Sequence, residues 1–144
     1  MPTESSARSK RLLESLEYHV WKTEVWNQWT HHRVDMWGFA DHAAIRKDGS
    51  DTGTTYIQST GEDVQSHLRK MLEGGVYESG KKMGESFPPN EYLYPILKQG
   101  NKVFLWAWRK RQDVGKRKTW QMKEYEFVIK DSTIVCQETH RELE

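Results

Sequence analysis

The sequence predicts a single α/β (or α+β) domain built on one mixed β-sheet. The chain has 144 residues, enough for one core. Its hydrophobic period changes along the chain in the order α-β-β-β-α, then an irregular stretch, then β-β. One late strand, residues 102–109, is apolar on both faces, which is the mark of a central strand.

Each element has its own local cause. From Ser5 or Ser6 to Tyr18 the pattern is helical. Leu12, Leu13 and Leu16 share a face with Val20 just beyond, and either serine is a suitable cap. Residues 19–25 alternate, with Val20, Lys22 and Glu24 on one side and Trp21, Thr23 and Val25 on the other, which predicts a strand. Residues 26–32, rich in Trp, Asn and His, read as a connection. After a bend at Gly38, residues 41–45 predict a second strand. Residues 47–53 carry Asp-Gly and Thr-Gly turn signals. Residues 54–59 are β-branched and aromatic, so they complete a hairpin with the second strand.

A second helix starts near Glu62 and Asp63, places Val64, Leu68, Met71 and Leu72 on one side, and ends at Gly74-Gly75. Residues 77–100 carry the weakest pattern. Pro88-Pro89 breaks structure there, and Tyr92, Tyr94, Ile96 and Leu97 suit a short helix or turn. In the central strand Phe104, Trp106 and Trp108 face one way and Val103, Leu105 and Ala107 the other. Residues 119–129 predict its partner, and 133–137 a last short strand.

Composition sets bounds on function. Hydrophobic residues make up 35% and charged residues 30%, so the aliphatic supply is thin; the aromatic share is 12%, with seven Trp. Rings must therefore help build the core, and Trp also suits stacking surfaces. The net charge of +1 gives no bulk attraction to nucleic acid, so any such signal must be local. Cys136 is the only cysteine, which excludes a disulfide within one chain and a CxxC zinc site; in its apolar run it is expected to be buried. His31, His32 and His42 lack the cysteines of a closed zinc site. No apolar stretch approaches the ~18 residues of a membrane span, and residues 1–5 form no signal-peptide core. The expectation is one intracellular domain over residues 1–144, with no membrane contact.

One constellation carries chemistry. It comprises the run Arg33-x-Asp35-x-x-Gly38-Phe39-x-Asp41 and the strand Ile57-Gln58-Ser59-Thr60 followed by a helix. Residues 58 and 60 point the same way because strand side chains alternate. This pattern, over roughly residues 9–111, resembles the PD-(D/E)xK nuclease superfamily, especially its small phage and archaeal Holliday-junction-resolvase-like members. The resemblance implies a restriction-endonuclease-like mixed sheet flanked by helices. It also implies a DNA endonuclease that uses Mg²⁺ (or Mn²⁺) and no organic cofactor. DNA, branched forms among them, would be the partner, and a homodimer would suit it because two symmetric cuts need two sites.

By this resemblance Asp41 falls on the metal-binding Asp, Gln58 on the Asp/Glu position and Thr60 on the Lys position. Glu17 on the first helix, or Asp35, would supply a second carboxylate. In such sites acidic oxygens hold the metal against a phosphate, and a lysine positions water and offsets charge. The chain departs from the pattern twice. Gln58 is neutral, and Thr60 carries no charge. Superfamily members that donate the lysine from the following helix make Lys70 a candidate replacement. The departures also leave open a catalytically inactive DNA-binding module, or a phage protein-interaction factor.

Residues 109–118 form a basic hairpin arm. Arg109, Lys110, Arg111, Lys116, Arg117 and Lys118 are set against a single acid, Asp113. A cluster of this kind suits phosphate contact. Trp106, Trp108 and Trp120 flank it, as core side chains or as stacking surfaces.

Overall fold

The computed structural model describes residues 4–29, 31–37, 39–61, 63–73, 89–111 and 119–141. The bend expected at Gly38, the helix start at Glu62, the helix stop at Gly74-Gly75 and residues 77–88 lie outside these residues. So do residues 112–118 of the arm.

The architecture is mixed α/β. Helix α1 (Glu4–Ser15) leads into β1 (Tyr18–Lys22), then a small hairpin of β2 (Val25–Asn27) and β3 (His32–Val34). Next come β4 (His42–Arg46), β5 (Thr55–Thr60), α2 (Val64–Glu73) and α3 (Pro89–Lys98). The chain closes with β6 (Lys102–Arg111), β7 (Thr119–Lys130) and β8 (Thr133–Glu138). The six-stranded sheet has the order β1-β4-β5-β6-β7-β8; β2 and β3 pair apart from it. All neighbours are antiparallel except β5 and β6, which run parallel. A parallel pair needs a crossover, and α2 and α3 lie in it.

Alternation along β6 divides the core between two helical layers. Phe104 and Trp106 pack with Leu13 of α1, Tyr18, Ala44 and Ile57. Val103 and Leu105 face the other way and pack with Met71 of α2, Leu93 and Ile96 of α3, Phe39, Ala40 and Phe127. Val64, Leu68 and Met71 of the predicted α2 stripe are turned to the sheet, whereas Leu72, expected on the same side, is exposed. Trp106 fills the core and donates its indole N–H to buried Glu124 at 2.8 Å. Glu124 also accepts from Thr139 and from both Nε and Nη2 of Arg141, so the chain after β8 is clamped back onto β7. Cys136 is half-buried beside this core, and burial pushes its thiol up to about 11.

Three expectations shift. The first helix ends at Ser15 rather than Tyr18 because Glu17 takes a left-handed φ of 66° and turns the chain into β1. The first strand stops at Lys22. Thr23 leaves the alternation by donating its N–H to Asp41 O and its hydroxyl to Ala40 O. The connection expected over residues 26–32 instead holds strand pairing, with β2 and β3 in a register that runs from Val25↔Val34 to Asn27↔His32.

The loop before β5 is tightly seated. Gly53 has φ +73°, and an added Cβ would lie 2.5 Å from Gly100 O. Thr54 N–H donates to the Asn101 side chain and Lys102 N–H to Thr54 O, which sets the β5–β6 register. Asp51 in the same loop accepts from Tyr18 Oη and pairs with Arg46 and Lys102.

Candidate metal centre

Asp41 sits one residue before β4 and is fixed to β5 at two points. Its N–H donates to Ile57 O at 2.9 Å, and its Oδ2 accepts the Ser59 N–H at 2.7 Å. These bonds bracket Gln58. Ile57 packs toward α1 and Ser59 Oγ donates to Ser9 Oγ of α1. Alternation therefore turns Gln58 and Thr60 to the face covered by α2 and α3. Gln58 is 1% exposed, and its Oε1 has no hydrogen-bond donor among the described residues. A buried unpaired carbonyl oxygen is costly, and a cation is one group that would satisfy it.

Two further carboxylates meet Asp41. Glu24 immediately precedes β2 and Asp35 immediately follows β3, so both stand at the mouth of the small hairpin. Oxygens of Glu24, Asp35 and Asp41 all lie within 4.8 Å of one another. Burial, with the charge of Asp35 next, raises the Asp41 carboxyl well above its ordinary range; the Ser59 N–H opposes this and Glu24 adds to it. Lys70, buried on α2, completes the group. Burial lowers its pKa, while the charges of Asp35 and Asp41 pull it back up. The three carboxylates are hard oxygen ligands, which fits Mg²⁺ or Mn²⁺, and the unpaired Gln58 Oε1 on β5 is a hard oxygen of the same class.

The chain matches no family model, no curated protein and no solved structure.

Among the residues expected at the site, the structure brings together Asp41, Asp35 and Lys70; Gln58 and Thr60 are buried on the adjoining strand β5. Glu17 is not among them. It lies at the Tyr18↔Arg46 end of the β1–β4 ladder and pairs with Lys47 at 3.8 Å, whereas Asp41 adjoins the Lys22↔His42 end. The length of β1 separates them by roughly 13 Å. The early end of α1 causes this, since the residue expected on the helix lies in the turn after it. Glu24 takes the place expected for Glu17, although its alternation in sequence sets it on a strand face. Its signal is positional: Glu24 and Asp35 flank ten residues that form a hairpin, and only the hairpin makes them neighbours. His42 is buried, and burial lowers its pKa to about 4. Among the described residues no histidine joins the acidic cluster.

The basic arm begins as β6 and β7 leave the core. Arg109 pairs with Gln121, Lys110 with Trp120 and Arg111 with Thr119. Arg109, Lys110 and Trp120 are exposed, and Arg8 of α1 stacks 3.5 Å from the centre of the Trp120 ring. Trp108 is half-buried and donates to Ser9 Oγ at 2.9 Å. The three tryptophans thus grade from core to surface along the strands. Lys116, Arg117 and Lys118 lie outside the described residues.

Proposed function

We propose that this chain is a metal-dependent DNA endonuclease of the PD-(D/E)xK type, on a restriction-endonuclease-like scaffold. The observation that carries this reading is the convergence of Glu24, Asp35 and Asp41 near buried Lys70 at the end of the β4–β5 hairpin. The passage from an antiparallel β1-β4-β5 meander through helices to parallel β6 supports it as well.

Glu24, Asp35, Asp41 and Gln58 Oε1 would hold Mg²⁺ or Mn²⁺. When bound, the ion supplies polarisation of the phosphoryl oxygens and a lowered pKa for attacking water. The protein's own groups do the rest. The Ser59 N–H holds Asp41 Oδ2 in one orientation, so the carboxylate is aimed before the ligand arrives. Lys70 brings a positive charge against phosphate from a buried position, where charge interactions are strong. Its partly desolvated ammonium is also suited to hand a proton to a leaving oxygen. The Thr60 hydroxyl provides a neutral donor where the superfamily has a lysine. The arm from Arg109 to Lys118 would grip phosphates, and two copies would be required for paired cuts in branched DNA.

A second reading, a DNA-binding module without activity, is favoured by the neutral Gln58 and Thr60. Incubation with four-way junction, flap and linear DNA in Mg²⁺ or Mn²⁺ separates the two. The nuclease reading expects cleavage that Asp41→Ala and Lys70→Met each reduce by at least about a hundredfold. DNA binding without cleavage in any of these conditions would leave only the module.

A further inference from the structure

The β2–β3 hairpin is set off from the main sheet, between β1 and β4, and it exposes large apolar surface. Val25 is 62%, Trp26 54% and Trp29 84% exposed. His31 meets the Trp26 ring edge-on, with centroids 6.3 Å apart. The ten residues from 25 to 34 include His31, His32 and Arg33 and contain no acid. Two of the exposed groups are indoles rather than aliphatic chains. An acid-free segment bearing flat rings suits nucleobases, which offer a stacking face whatever their identity. The mouth of this hairpin is the acidic cluster itself, through Glu24 and Asp35.

We infer that the β2–β3 hairpin is a stacking wedge that takes unpaired nucleobases next to the phosphate held at the acidic cluster. The inference rests on the nuclease reading for its second half only. In an intact duplex the base faces are covered by their neighbours, so the rings find partners only at gaps, flaps, junctions or single strands. The wedge therefore makes the protein selective for interrupted DNA. About four residues of strand separate Glu24 from the loop, a reach of roughly 13 Å. That corresponds to about four nucleotides at the duplex rise of 3.4 Å per nucleotide, so the stacked bases should lie within about four nucleotides of the cluster.

The test is equilibrium binding of the full chain in EDTA, by fluorescence anisotropy, to three labelled probes: a blunt duplex, the same duplex with a short single-stranded gap, and oligo-dT. The wild type is expected to prefer the gapped probe over the duplex by at least about tenfold. Trp26→Ala/Trp29→Ala should abolish that preference, at roughly tenfold per lost stack, while Trp26→Phe/Trp29→Phe should keep most of it. The alanine variant should melt close to the wild type, since Trp29 is 84% and Trp26 54% exposed and the Trp26–His31 edge contact is a small loss; the phenylalanine variant, which keeps a ring at both positions, controls for that loss. Equal gapped-probe preference in wild type and alanine variant would overturn the wedge. So would unchanged DNA binding accompanied by loss of self-association in sedimentation, which would assign the hairpin to contacts between copies. Binding in EDTA is measured whether or not the protein cleaves, so failure of the nuclease reading does not alter this result. Cleavage with no gap preference would sink the wedge alone.

Discussion

Asp41→Asn should make the metal-free protein more stable at neutral and alkaline pH. Asp41 faces Asp35 and Glu24 across gaps of at most 4.8 Å between carboxylate oxygens. Two full charges at that distance repel by about 3.5 kcal/mol at an effective dielectric constant of about 20. Lys70 and the Ser59 N–H offset part of this, and proton uptake by the cluster relieves more. The net gain from removing the charge should therefore fall below one full pair, at about 2 kcal/mol, raising Tm by roughly 4–8 °C. The sign with pH follows from the raised pKa. The folded state binds the Asp41 proton more tightly than the unfolded chain, so wild-type stability declines as pH rises from the ordinary value of 3.8 to the raised folded value. The penalty is complete above that window and absent below it. Thermal unfolding in EDTA across pH should show the variant ahead at about pH 8 and level with wild type below about pH 4. Mg²⁺ at roughly a hundred times its Kd should lift wild type by about 2.7 kcal/mol and the variant by much less. A variant that melts at or below wild type at about pH 8 would refute the picture of a strained acidic cluster.

Glu124→Gln should lower stability by about 2 kcal/mol in thermal or urea unfolding. It keeps an acceptor for Trp106 but loses the charge-assisted bonds to Arg141, whose partly exposed guanidinium can rehydrate. Gly53→Ala should cost about 2 kcal/mol or more by the same measurement, since it combines a left-handed φ with a Cβ against the Gly100 carbonyl. Replacing Lys116, Arg117 and Lys118 by Gln should weaken DNA binding about equally across sequences. It should also flatten the plot of log K against log salt by roughly 2–3, one unit per lost phosphate contact.

The parts of the fold legible in the sequence are those whose pattern is local. The two-faced apolar strand at 102–109 is β6, and its alternation assigns the two core layers correctly. The turn signals at 47–53 bound the β4–β5 hairpin, and the stripe of Val64, Leu68 and Met71 is the inner side of α2. Asp41 with the 58–60 triplet leads to the cluster because hairpin pairing is short-range. The failures share a cause. The end of α1 at a non-glycine left-handed residue has no composition signal, and it carries Glu17 away from the site. The β2–β3 pairing has only three rungs and little alternation. Glu24 is brought to Asp41 by that pairing, not by its neighbours in sequence. Lys70 resembles any solvated helix lysine until α2 is docked on the sheet.

The single parallel pair in the sheet divides the molecule in time as well as in space. The β1-β4-β5 meander and the β6-β7-β8 meander each join strands that follow closely in the chain, apart from the small inserted hairpin. Every rung between β5 and β6, from Thr55↔Lys102 to Thr60↔Ala107, instead joins residues 47 apart. Local meanders close quickly, whereas the long loop must lose its entropy before any rung repays it. Until that seam forms, both meanders expose an unpaired edge and neither core layer is complete. The β5–β6 seam thus carries the largest loop-closure cost in the sheet, and a chain in which it has not formed leaves the β5 and β6 edges open to mispairing.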